Sequence, residues 1–236
     1  MAEYCVCRQR AGPLVKTYTT DRLRFVRIAG ERQARPAEMP AMWSKSEDKL
    51  ELYLALFGYT GTHYILTFDD EHLPDSFDAV KRCLKAFLRS VRRKWPVLTR
   101  YVYAVECGHS GGRWHIHFIA DERELPFVAI QVLWHYGWVN PGYVDHPVLH
   151  KADGYRALAR YICKDGNAGF VPLGKHKWGV ARGMRAMIPP PEYTTQHRRP
   201  PIPRNAFWVH TKTVEAEVDG KSCGKIYKAS WITAKP

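Results

Sequence analysis

Two runs of alternating side chains face each other across a glycine turn near the middle of the chain. Arg100–Cys107 reads RYVYAVEC and Arg113–Ala120 reads RWHIHFIA, with Gly108, Gly111 and Gly112 between them. Their β-branched and aromatic content predicts two strands, and the short glycine-rich link predicts an antiparallel hairpin. Strand periodicity then sorts the second run into two faces: His115 and His117 on one, Trp114, Ile116 and Phe118 on the other.

The segments around the hairpin are equally regular. Ser44 or Ser46 caps a predicted helix to about Leu56, with Leu50, Tyr53, Leu54 and Phe57 on one stripe. Thr62–Phe68 (THYILTF) predicts a strand. Asp75 or Ser76 caps a long helix to about Lys94, before Pro96, with Val80, Leu84, Phe87, Leu88 and Val91 as its buried stripe. Pro126 opens a helix to about Tyr136. Trp138–Leu149 reads as an irregular strand interrupted by Pro141 and Gly142. Asp153 caps a helix ending near Lys164, and Lys177–Ala181 reads as a last strand. This order predicts an α+β domain over about 60–183, a five-stranded, largely antiparallel sheet flanked by helices. Residues 1–59 form an N-terminal extension with short extended patterns and the helix near 44–57. Residues 184–236 follow as a segment with six prolines at 189–204, expected to be an unpacked strap, and a tail that reads as a hairpin or as partly disordered.

The histidine face carries the first chemical signal. Pairing the hairpin strands brings Glu106 opposite or diagonal to His115. Two imidazoles and one carboxylate on one face make a mixed nitrogen and oxygen site, suited to a divalent metal such as Mg²⁺ or Mn²⁺. The pair of histidines alone is equally compatible with a partly exposed sheet face, and Glu106 with a simple balance of nearby cations. The second signal is Tyr161 and Lys164 in RYICK, three apart on the last helix and so on one side of it. A phenol is a usable nucleophile when a cation stabilises its oxyanion, and a lysine supplies mobile positive charge. A packed tyrosine ring beside a solvated lysine is the plainer alternative. Tyr155 lies about 240° around the helix from Tyr161 and is the poorer second nucleophile.

Net charge narrows the partners. The chain of 236 residues carries 36 Lys and Arg against 23 Asp and Glu, a formal net charge of +13. Polyanions are therefore favoured, although charge alone does not separate nucleic acid from an anionic membrane. The long helix concentrates that surplus in Lys81, Arg82, Lys85, Arg89, Arg92, Arg93 and Lys94. They read either as phosphate contacts or as an ordinary solvated face. Arg182 and Arg185, just beyond the last strand, are further candidate DNA-backbone contacts. Asp69 and Asp70 end the first strand, where they aid the site or cap a turn. Eight tryptophans and thirteen tyrosines offer core material and stacking platforms for single-stranded bases. The first ten residues lack a long apolar run, and no stretch approaches the ~18 apolar residues of a membrane span. The expected location is cytoplasmic, with no membrane partner and six mostly structural, reduced cysteines. No Walker-type phosphate loop is present, so strand unwinding falls to another protein.

Taken motif by motif, the chain resembles the HUH-superfamily rolling-circle replication initiators, the Rep endonucleases of small phages and plasmids. YILTFDD at Tyr64–Asp70 looks like their first motif. HIH at His115–His117 is similar to their histidine-hydrophobe-histidine motif, with Glu106 at the place of the acidic ligand. YICK at Tyr161–Lys164 looks like the motif of the one-tyrosine class, and KWGVARG at Lys177–Gly183 resembles the strand and loop that follow it. The resemblance implies an RRM-like sheet with the histidines on a central strand. It also implies metal-dependent nicking and joining of single-stranded DNA at an origin. Glu106, His115 and His117 would hold the metal, Tyr161 would form a 5′-phosphotyrosyl link, and Lys164 would assist. A separate helicase and polymerase, from the host or the element, would complete replication. A tyrosine transposase or relaxase of a mobile element shares this chemistry and stays open as the alternative.

Overall fold

The computed structural model describes residues 4–21, 46–108, 112–140, 148–149, 153–163, 171–172, 175–218 and 221–233, leaving aside the side chains of 21 and 216–223. In chain order the elements are β1 (Tyr4–Ala11), β2 (Leu14–Asp21), α1 (Ser46–Ala55), β3 (Gly61–Thr67), α2 (Phe77–Lys94), β4 (Val102–Cys107), β5 (Trp114–Asp121), α3 (Phe127–Leu133), α4 (Arg156–Cys163), β6 (Trp178–Val180), a 3₁₀ turn (Arg182–Met187), β7 (Glu192–Gln196), β8 (Ala206–Val218) and β9 (Lys221–Thr233). They form an α+β fold with two antiparallel sheets. The chain divides into two compact units, one of residues 57–150 with 155–187, the other of 1–56 with 151–154 and 188–236.

The first unit contains the hairpin. Its sheet runs β3-β5-β4-β6, with β5 central as its apolar back face requires. Phe118 and Ile116 are fully buried. They meet the stripe of α2, where the Phe87 ring stands edge-on to Phe118 at 5.3 Å, and Phe77 does the same to Trp114 at 6.2 Å. Ser76 starts α2 by accepting the Ala79 N–H at 3.3 Å. The expected fifth strand is a single bridge, Leu66 to Val139. Thr67 N donates to Trp138 O at 2.8 Å and Asn140 N to Ile65 O at 3.1 Å on either side of that bridge. The middle of that strand, 141–147, lies outside the described residues. Helix α3 stops at Leu133, short of Tyr136, because Trp134 turns inward and its indole N–H donates to Thr67 O at 2.8 Å.

The end of β5 is fixed by one buried carboxylate. Asp121 is fully buried. It accepts from Arg123 Nη2 and Thr60 Oγ1, each at 2.7 Å, and lies 3.6 Å from Arg100 Nη2. The hydrogen bonds from Arg123 hold its pKa down at about 2. A depressed carboxylate stabilises the fold above its unfolded pKa and loses that contribution as pH falls through the folded value. Asp121→Asn is expected to cost about 2 kcal/mol at neutral pH, with the difference vanishing as pH drops from about 4 toward 2. Urea denaturation of both proteins at pH 7 and pH 2.5 checks this, and an undiminished gap at the lower pH would contradict it.

The second unit is a sheet in the order β7-β1-β2-β9-β8, with α1 against it. The two flanks therefore meet in one structure. The proline-rich segment is extended as expected, but Glu192–Gln196 is packed, pairing antiparallel with β1. Its six prolines lie on either side of those five residues, so every amide in the stretch is available to the ladder. The tail forms a long β8–β9 hairpin, and β9 pairs with β2. Under α1 the Lys16 ammonium is buried between Asp48 at 2.9 Å and Glu51 at 2.6 Å, which fixes where the helix sits on this sheet.

Candidate metal centre and nucleophile

The site grows out of the β4–β5–β3 register. Glu106 is the direct cross-strand partner of His115, and Ala104 of His117. On the other side of β5, Thr67 faces His115 and Ile65 faces His117. Directly paired residues share a face. The two histidines and Glu106 thus project together, away from the face that α2 covers. Their ligand atoms all lie within 4.8 Å of one another. His117 Nε2 is 2.8 Å from Glu106 Oε2, and His115 Nε2 is 3.9 Å from the same oxygen. His117 is fully buried, while His115 and Glu106 are partly open to solvent.

The electrostatics suit a cation. The hydrogen bond from His117, with the positive charges of His117, Lys177 and His115 nearby, lowers the Glu106 pKa to about 2 against the opposing effect of burial. Glu106 is a carboxylate at any working pH. Burial, and then the charge of His117, lowers the pKa of His115, which favours the neutral imidazole that ligates metals. A neutral nitrogen pair with one ionised oxygen donor, open on one side, fits a divalent ion with positions left for substrate oxygens. Mg²⁺ and Mn²⁺ both accept such a set.

A third histidine, not singled out by the sequence patterns above, completes the arrangement. His63 on β3 places Nε2 2.8 Å from His117 Nδ1, and its ring lies 5.0 Å from that of His117. For His117 Nε2 to offer a lone pair, its proton must sit on Nδ1, where His63 Nε2 accepts it. The signal that could have found it is period two: His63 shares a face with Ile65 and Thr67, whose partners are His117 and His115.

Tyr161 on α4 reaches this face. Its ring stands perpendicular to His117 at 5.4 Å between centroids, and the side chain is 48% exposed. Tyr155 is buried and donates its hydroxyl to Gly58 O at 2.7 Å, and burial raises its pKa further from ionisation. Lys164 lies outside the described residues. Lys177, legible in the sequence only as part of a strand, contributes positive charge to both Glu106 and His115.

The basic helix is elsewhere. Arg82, Lys85, Arg89, Arg92 and Arg93 are exposed on α2, which covers the back of the sheet, so they are separated from the triad by the sheet itself. Lys81 is turned in against Tyr103, 3.1 Å from its hydroxyl, and desolvation lowers its pKa to about 8. Arg182 and Arg185 are exposed on the 3₁₀ turn beyond β6. Asp70 pairs with Arg113 at 2.6 Å, and Asp69 accepts from the His72 backbone and lies 2.7 Å from its ring, so both serve turns.

The family described as replication-associated protein ORF2 matches residues 63–166. A replication-associated (Rep) domain of the HUH superfamily therefore occupies this part of the chain. The match opens on His63 and takes in Glu106, His115, His117 and Tyr161. No curated protein and no solved structure matches the chain. The Rep domain and the His/His/Glu cluster together support a metal-binding, HUH-type nuclease. Among the described residues, no helix is long and apolar enough to cross a membrane.

Proposed function

We propose that the protein nicks and rejoins single-stranded DNA by tyrosine transesterification and so initiates rolling-circle replication. The observation that carries the reading is the 5.4 Å contact between the Tyr161 and His117 rings, which joins a solvent-accessible phenol to a cluster fit for a cation. Glu106, His115 and His117 hold a divalent metal, which when bound supplies positive charge to the oxygens of the scissile phosphate. Tyr161 Oη attacks phosphorus, giving up its proton to solvent. The bond from phosphorus to the 3′ oxygen breaks, that oxygen takes a proton, and the 5′ phosphate stays on Tyr161. Lys164 and Lys177 balance the negative charge that develops. The phosphotyrosyl bond keeps the energy of the phosphodiester, so attack by a 3′-OH rejoins DNA with no nucleotide consumed. Origin DNA is the partner, with an unwinding enzyme and a polymerase supplied separately in the cytoplasm. The matched family's description as replication-associated supports initiation over transposition or conjugative relaxation.

The test uses a random-sequence single-stranded DNA library. With Mg²⁺ or Mn²⁺ the protein is expected to retain a subset of strands through denaturing electrophoresis, and with EDTA none. Retention that is indifferent to EDTA, or no retained strand with either metal, would overturn the proposal.

A further inference from the structure

Trp138 is the exposed aromatic that the nicking reading leaves unused. Its backbone is held hard against β3: Trp138 O accepts from Thr67 N at 2.8 Å and from Thr67 Oγ1 at 3.1 Å. The residue before it must be glycine. Gly137 has φ +151°, and a Cβ there would come within 2.5 Å of Thr67 O and 2.6 Å of Asp69 N. The chain is pressed onto the strand end at a position where only glycine fits, and this fixes the point from which the indole projects.

The direction follows from the register. Val139 is bridged to Leu66, and both are buried in the back-face core. Trp138, one residue away, points to the opposite face, alongside Thr67 and in the row that continues through His115 to Glu106. Two strand spacings separate it from His115, roughly 10 Å, the reach of one or two nucleotides of an unstacked strand. Yet the side chain is 64% exposed. A large, flat apolar ring is thus anchored by its backbone, beside a phosphate-binding cluster, with most of its surface in water.

We infer that Trp138 is a stacking platform for an unpaired DNA base one or two nucleotides from the scissile phosphate. The inference rests on the proposal that single-stranded DNA lies over the triad. Stacking takes any base, because every base offers a π face, so Trp138 adds affinity and orients the strand without reading sequence. It fixes which nucleotide lies beside the metal ligands, leaving recognition of the origin to other groups.

The test needs no known origin. Binding is measured on Tyr161→Phe protein, with and without Trp138→Ala, to a twenty-residue oligothymidylate and to an abasic oligomer of equal length and charge. The expected result is a loss of about 5- to 100-fold on oligothymidylate, a change under about twofold on the abasic oligomer, and restoration by Trp138→Phe. Equal losses on both oligomers, or no loss on oligothymidylate, would overturn the platform. The two readings fail separately: a base-dependent loss with no adduct from wild-type protein keeps the platform and removes transesterification. An adduct with unaltered oligothymidylate binding does the reverse.

Discussion

Tyr161→Phe is expected to abolish the covalent DNA adduct, a fall of at least about 10³-fold in its rate of formation. The substitution removes one oxygen and keeps the ring, so the perpendicular contact with His117 and the packing of α4 survive. A nearly complete loss is expected because no other phenol is placed to substitute among the described residues near the triad. Tyr155 is buried with its hydroxyl committed to Gly58 O. Tyr155→Phe makes the matching control. It should retain adduct formation and lose about 1 kcal/mol of stability, the worth of one buried hydrogen bond. Mass spectrometry of the trapped adduct locates the attachment. Adduct persisting in Tyr161→Phe, or a nucleotide mapped to Tyr155, would sink the nucleophile assignment.

The contrast between those two tyrosines was legible in the sequence, and the reason is local. Six residues on a helix put them on different sides, and burial then acts on one and not the other. The same holds for His115, His117 and Glu106: a two-residue period and a short turn fix all three without knowledge of the wider fold. What escaped depends on distant pairing. β1 meets β7, and β2 meets β9, across nearly the whole chain. These strands are rich in threonine and lysine with little apolar alternation, so nothing local announces a second sheet. The prolines around Glu192–Gln196 suggested a strap, although none falls within the paired stretch. The α2 stripe of Leu84, Phe87 and Val91 was readable as a buried face, but not which side of the sheet it would cover. That choice is made by Phe118, whose ring meets Phe87. Because His117 is the next residue and points the other way, the same packing that buries α2 carries its arginines away from the triad. Their role as phosphate contacts thus requires a stretch of nucleic acid on the back of the sheet, distinct from the strand over the metal ligands.

His63→Ala is expected to weaken divalent-cation binding about 10- to 100-fold, the usual cost of removing a partner that orients a ligand. His117 Nδ1 has His63 Nε2 at 2.8 Å and His117 Nε2 has Glu106 Oε2 at 2.8 Å, so the imidazole is held from both ends. Without His63 the proton of a neutral His117 moves to Nε2, where Glu106 accepts it, and the lone pair turns away from the site. The loss is therefore in the population of the ligating tautomer, and it is met by mass action. Adduct formation should recover as Mn²⁺ is raised, which a collapsed fold would not allow. His63 is 8% exposed, so alanine also leaves a hole. His63→Phe fills the volume without an acceptor, and His63→Asn restores an acceptor with less volume. Titration of Mn²⁺ followed by electron paramagnetic resonance, beside urea denaturation of each variant, separates the two effects. Cation affinity should track the acceptor, weak in Phe and Ala and nearer to wild type in Asn, while stability should track volume. An affinity that follows stability across the three variants would mean that His63 merely fills space.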